Sequence, residues 1–308
     1  MRRREFIRAT AGASIAATTS LVLGNLSTLF AQTTNSDTDK PFDMVAVMNG
    51  EADEMFDRAI ESMGGMETFV KKGQSVVVKP NIGWDVTPER AANTNPMLIK
   101  RIIEKAYEAG AGEVYVFDYT CDNWTNCYQN SGIEPMAKEA GAKVVPGNFE
   151  KYYRPVTIPN GVTLKEAKVH ELILDSDVFI NVPVLKHHSS ASLSIAMKNL
   201  MGIIWDRRWW HRNDLHQCIA DFTTWCKPDL NVVDAYRVMM KNGPRGVSEQ
   251  DVVTYKTQII SPDIVAVDAA ASKVFGSDPE SVGYIRKAGD MGVGTYDLAS
   301  LNINRIKL

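Results

Sequence analysis

The sequence predicts an α/β protein, a mainly parallel sheet flanked by helices, with a ligand cleft at the C-terminal ends of the strands. Three observations carry this expectation. Short β-rich runs alternate with segments of helical period; the runs are continuously apolar, as strands buried on both faces must be; and several stop at charged or amide side chains, the edge where open α/β sheets hold ligands. Composition agrees, with 308 residues of which 44% are hydrophobic and 23% charged. Thirty-four Lys and Arg against 37 Asp and Glu leave a net charge of −3. Such a balance gives no long-range attraction to nucleic acid or an anionic membrane, so nucleic-acid binding is not expected.

Residues 1–31 read as an export signal. Arg3-Arg4 followed by Phe6-Ile7-Arg8 looks like the twin-arginine signature, and the uncharged stretch from Ala9 to Ala31 is only weakly apolar. A basic helix followed by a membrane span is the competing reading, since that stretch approaches the ~20 residues a span needs. Its many Thr, Ser and Gly make a poor anchor. Residues 32–40 form a solvated linker, and 41–308 a single α/β domain with no stable membrane span. The expected partner is the twin-arginine export machinery, which carries folded cargo, and the expected destination is the periplasm or the cell exterior. Removing residues 1–31, which carry a net +3, leaves the mature chain at about −6.

The strands expected in order are Met44 to Met48, Ser75 to Val78, Val114 to Phe117, Lys143 to Val145, Val178 to Leu185, Asn231 to Val233 and Thr257 to Ile260. Asn95-Pro96 supplies an N-cap and first turn for a helix that repeats Ile99, Ile102, Ile103 and Ala106 before Gly110 stops it. Ser261-Pro262 opens a second helix that runs to Gly276, and a third is expected from Leu193 to Met201. Four strands end in chemistry: Lys79-Pro80-Asn81, Asp118, Lys186-His187-His188 and Asp234. That recurrence points to one shared cleft.

The run from Asp177 through Lys186-His187-His188, followed by Ala196-Met197-Lys198-Asn199-Leu200-Met201-Gly202, resembles the core signature of the domain of unknown function 362 family. Val78 to Asn81, Thr94-Asn95-Pro96, Asn242 to Gly246 and Ser261-Pro262-Asp263 through Asp268 to Gly276 extend the resemblance over almost all of the mature chain. It implies the same fold and a set of candidate positions, with no agreed activity. Relatives of this kind often carry ferredoxin-like cysteine clusters. This chain has four cysteines and no such cluster, so an iron–sulfur cofactor is not expected.

Lysines in a cleft need anions, because an unpaired buried ammonium costs several kcal/mol or gives up its proton. Lys79, Asn81, Lys198, Asn199, Arg207 and Arg208 are therefore the candidate ligand-binding residues, the two arginines as bidentate grips on carboxylate or phosphate. Lys186, His188 and His211 are the candidate catalytic residues, the histidines as proton carriers. Ser189 or Ser190 is a candidate helix cap beside His188. Asp118, Asp234 and His216 are the candidate ligands of a divalent metal, should one be bound. Cys218 and Cys226 lie ~12 Å apart along one helix and cannot bond, so they read as core thiols. Cys121 and Cys127 are close enough in sequence for a local disulfide, with a redox or metal-binding thiolate pair as the alternative.

The leading functional reading is an enzyme acting on or with a small anionic ligand. Two alternatives stay open at this level: a non-catalytic periplasmic binding protein for an anionic solute or cofactor, and an accessory subunit of a redox assembly.

Overall fold

The computed structural model describes residues 41–308, so the export-signal and linker readings of residues 1–31 and 32–40 fall outside the described residues. A ten-stranded sheet forms the centre of the molecule. Its path runs β12 (Ile303–Lys307), β1 (Met44–Met48), β11 (Val252–Ser261), β10 (Leu230–Met239), β7 (Val178–Val182), β2 (Ser75–Pro80), β3 (Glu113–Val116) and β4 (Lys143–Val144). Off this path, β8 (Val184–His188) pairs with β10 and with β9 (Ser192–Ser194). Pairing is parallel throughout except where β11 meets β1 and β10 and where β9 meets β8. A separate hairpin joins β5 (Tyr153–Thr157) to β6 (Glu166–His170).

Alternation along the strands sends successive side chains to opposite faces, and the core divides accordingly. Val45, Val47, Val76 and Val78 pack with α1 (Ala52–Ser62), α2 (Pro96–Glu108) and α4 (Ile133–Glu139), which follows α3 (Trp124–Asn130). Met44, Ala46 and Val77 pack on the other face with α8 (Leu215–Trp225), α9 (Ile264–Phe275) and α10 (Gly283–Asp290). Each fully buried aliphatic side chain contributes roughly 1.5–3 kcal/mol relative to exposure. Helices on both faces explain why the central strands read as unbroken apolar runs rather than alternating ones.

The expected α2 is present, with Asn95 accepting a hydrogen bond from the Met97 amide at 3.0 Å. Other expectations needed correction. The run from Val178 to Leu185 is two strands, because Pro183 cannot continue the ladder. β10 runs five residues past Asp234, whose polar side chain therefore marks no strand end. The helix after Ser261 is capped by Asp263, which accepts from the Val265 and Ala266 amides; Ser261 points instead to the Asp43 carbonyl. The expected helix from Leu193 to Met201 is shorter, since Ser192–Ser194 is strand β9 and α6 covers only Ala196–Asn199, with a 3-10 turn from Leu200 to Ile203.

Neither Ser189 nor Ser190 caps α6. That role falls to Asp268, fully buried on α9, whose carboxylate accepts from the Ala196 amide at 2.7 Å and the Met197 amide at 3.1 Å. Burial pushes the Asp268 carboxyl well above its ordinary range, against the pull of those two amides. Asp268→Ala should destabilise the protein by about 2–4 kcal/mol in urea unfolding, because it strands two buried amides. Asp268→Asn, which keeps an acceptor, should cost less.

Candidate functional site

The C-terminal ends of β2, β3 and β8 converge on a cavity of about 290 Å³, at the lower end of the ~300–1,000 Å³ of small-molecule sites. Lys79 and Asn81 enter from the end of β2, Asp118 and Cys121 from the segment after β3, and Lys186 and His188 from β8. Lys198 and Asn199 come from α6, and Arg207 and His211 from α7 (Arg207–Arg212). Arg207 and His211 are four residues apart on one helix and so share a face.

Lys79 is fully buried and pairs with Asp118, its Nζ lying 2.9 Å from Oδ1. The other carboxylate oxygen of Asp118 accepts from the Ile82 amide at 2.6 Å. Gly202 lies hard against this pair: a Cβ there would sit 1.8 Å from Asp118 Oδ1 and 2.6 Å from Lys79 Nζ, so any larger residue would have to displace the pair. Lys79 also donates to Asn199 Oδ1 at 2.8 Å, and Asn81 Nδ2 donates to the same oxygen at 3.0 Å. Asn81 Oδ1 in turn accepts from Lys186 Nζ at 2.9 Å, and Lys186 also donates to the Ala92 carbonyl. Two neutral amides thus bridge two buried lysines without cancelling their charge.

Among the described residues Lys198 makes no hydrogen bond or ion pair, and it is only partly exposed at the cavity wall. Burial pushes Lys186 down to about 7 and Lys198 down to about 8; the neighbouring cations add to both shifts, and Cys121 and Asp118 oppose them. Burial also lowers Lys79, against the pull of Asp118. Four cationic side chains therefore line the cavity, namely Lys79, Lys186, Lys198 and Arg207, with Asp118 as the carboxylate among the lining residues.

His188 does not have the geometry of a base. Its Nδ1 accepts from the Ser190 and Ala191 amides at 3.1 and 3.2 Å, which leaves the ring proton on Nε2 in the neutral form. Burial, helped by Lys198 and Lys186, holds its pKa down to about 2. His188 is thus a neutral donor. His211 stacks on it with ring centroids 6.1 Å apart, and burial holds His211 down to about 4. Arg207 is braced over the mouth, donating to the Tyr119 and Thr120 carbonyls at 2.5 Å each and stacking over the Tyr119 ring at 4.2 Å.

Three expected site residues lie elsewhere. Arg208 is exposed and does not line the cavity, because adjacent helix positions point about 100° apart. Asp234 is buried within β10, accepting from the Asn95 amide at 2.8 Å and the Tyr236 amide at 3.0 Å, with burial raising it to about 6. His216 stacks on Tyr284 at 5.9 Å and abuts Gly283. Asp118, Asp234 and His216 therefore do not form one metal-ligand set, and no group of three or more His, Cys, Asp or Glu among the described residues is arranged to hold a metal ion. Cys121 and Cys127 are both free thiols, Cys121 exposed and Cys127 buried, so the two do not form the local disulfide that their spacing allows. Cys218 and Cys226 are buried and free, as expected of core thiols. Cys121, Tyr119 and Gly202 as wall residues escaped the sequence reading, although Asp118 at the strand end marked their segment and the α6 motif contained Gly202.

The family model "Domain of unknown function (DUF362)" matches residues 76–273, which include the cationic residues of the cavity. The chain belongs to this family. Within reach of it, the thylakoid-associated protein sll1697 of Synechocystis is 27% identical over 233 residues, spanning 72% of this chain and 70% of that protein. Among solved structures, the lactate racemase apoprotein of Thermoanaerobacterium thermosaccharolyticum aligns with a TM-score of 0.45 at 12% identity, covering 71% of this chain and 54% of the other. A Thermotoga maritima protein aligns with a TM-score of 0.45 at 11% identity, covering 77% of this chain and 59% of the other. This chain thus spans just over half the length of either structure.

The lysine shifts give the family member a signed pH response. A lysine titrates near 10.4 when unfolded, so from about pH 7 upward the unfolded chain holds more protons at Lys186 and Lys198, and folded stability rises with pH. The buried thiols Cys127, Cys218 and Cys226, pushed up to about 12, reverse this slope only above their ordinary range near 8.5. His188 and His211 titrate well below the window. The buried Asp268 carboxyl, raised well above its ordinary range, works against the lysines, so their effect is read as a difference: between pH 7.0 and 8.3 the urea-unfolding stability of the unaltered protein should rise by roughly 1 kcal/mol relative to Lys186→Met.

Proposed function

We propose that this protein is an exported enzyme acting on a small anionic ligand, a carboxylate or phosphate of a few heavy atoms. The observation that carries this reading is the Lys198 ammonium, which has no hydrogen bond or ion pair among the described residues and lines a cavity already rich in positive charge. A bound anion would supply its missing counter-charge. The anion would sit between Lys198 and the Nε2–H of His188, with Arg207 and His211 closing the mouth and Lys79, Asn81 and Asn199 fixing the floor.

Lys186 is the proton carrier in this scheme. Its neutral amine has two N–H donors, both taken by Asn81 Oδ1 and the Ala92 carbonyl, so its lone pair is left for the cavity. Its ammonium form has a third N–H to give back. With a pKa near 7, both forms are populated at neutral pH, which is the condition for efficient proton transfer. His188, assigned proton transfer from sequence, serves instead as a hydrogen-bond donor to the ligand.

Titration calorimetry with inorganic phosphate and with small carboxylates tests the anion site. Lys198→Gln should weaken binding at least tenfold, about 1.4 kcal/mol, and the affinity of the unaltered protein should fall as pH rises from 7 to 9. Solvent-deuterium exchange into the carbon-bound hydrogens of bound carboxylates, followed by NMR, tests the proton carrier. Exchange lost in Lys186→Met supports the enzyme; anion binding with no exchange selects a solute-binding protein.

We infer export from Arg3-Arg4 and the stretch that follows. Residues 1–40 fused to a reporter should carry it across the inner membrane only while the paired arginines remain, and Arg3→Lys with Arg4→Lys should leave it in the cytoplasm, as read by cell fractionation.

A further inference from the structure

Cys121 is the one exposed thiol among the described residues, and it lines the cavity together with Lys186 and Lys198. Its backbone is tied down, with the Cys121 amide donating to the Gly83 carbonyl at 2.8 Å. The thiolate is the form in which cysteine is a nucleophile. A second feature marks the same space as a ligand site. His188, with 7% of its surface exposed, has both amide bonds on Nδ1 and leaves Nε2 without a partner among the described residues.

We propose that Cys121 is a nucleophile for small anionic electrophiles, the anion being held by Lys198 and His188 while Sγ attacks the electrophilic carbon. This rests on the anion-site reading and adds a covalent step to it. In the simplest case, alkylation, the thiol proton leaves to solvent, the thiolate forms an S–C bond as the carbon–halogen bond breaks, and the halide departs with the electron pair. No oxidant, reductant or further reactant takes part. The other three cysteines are buried, with thiols held near 12, and serve as internal controls.

The probe pair is iodoacetate and iodoacetamide, which share a reacting carbon and differ in charge. The full-length protein is alkylated with each, and modification is located by peptide mass spectrometry. Free cysteine under the same conditions gives the reference rate ratio. The expected result is modification at Cys121, with the iodoacetate-to-iodoacetamide ratio at least tenfold above the reference. Inorganic phosphate should slow the iodoacetate reaction at least fivefold, and Lys198→Gln should return the ratio to within threefold of the reference. The phosphate arm uses unaltered protein, so it stands even if Lys198→Gln folds poorly. A ratio in unaltered protein equal to the reference, or modification at another cysteine first, overturns the proposal. Phosphate binding by calorimetry with no iodoacetate preference would remove the nucleophile while leaving the anion site intact.

Discussion

Neutral amides, where carboxylates would be expected, receive the buried ammonium groups of this protein, and the character of the site follows from that substitution. Asn199 and Asn81 link Lys79 to Lys186 through shared amide oxygens. An amide satisfies the hydrogen-bonding requirement of a buried lysine but leaves its charge in place. Asp118 neutralises Lys79. Lys186 is bonded only to neutral oxygens, and Lys198 has no hydrogen bond or ion pair among the described residues. The excess charge costs folding stability and is available to an anionic ligand, the usual trade of stability for a poised site.

The scaffold makes this arrangement sustainable. Three parallel strand ends open on one edge of the sheet, so Lys79, the segment after Val116, and Lys186 reach a common space without long loops. α6 enters from the opposite face of the core and is held by Asp268, a residue of α9 with no place in the cavity. Asp268 acts on the site at one remove, by fixing the turn that presents Lys198 and Asn199. Gly202 has a similar role, because its missing side chain lets the chain close over the Lys79–Asp118 pair.

The histidines show how tertiary context assigns chemistry. His188 and His211 are near neighbours in the cavity, yet cationic surroundings and burial keep both rings neutral over the ordinary pH range. Two backbone amides settle the tautomer of His188 as well. The same environment that unmakes a histidine base brings a lysine into the range where one can form, because desolvation and like charge both favour the neutral form of any cationic acid.

Much of this was legible in the linear sequence. Apolar runs ending in Lys79, Asp118 and Lys186 reported the strands and the edge they share, since buried strands must be apolar and their ends need not be. The Asn95-Pro96 cap and the Gly276 stop reported helix boundaries through purely local backbone preferences. Local signals could not tell a polar residue at a strand end from one buried within a strand and held by backbone amides, which is how Asp234 was misplaced. Nor could they choose between Arg207 and Arg208, or show that Cys121 faces the lysines while Cys127 faces the core. The sequence by itself determined the elements, the fold class and most of the cationic residues, because those follow from periodicity and short-range conformation. Only the tertiary structure decided which charges meet, which are compensated and which are left waiting, because burial and pairing join residues far apart in the chain, Lys79 to Asp118 and Asn81 to Lys186 among them.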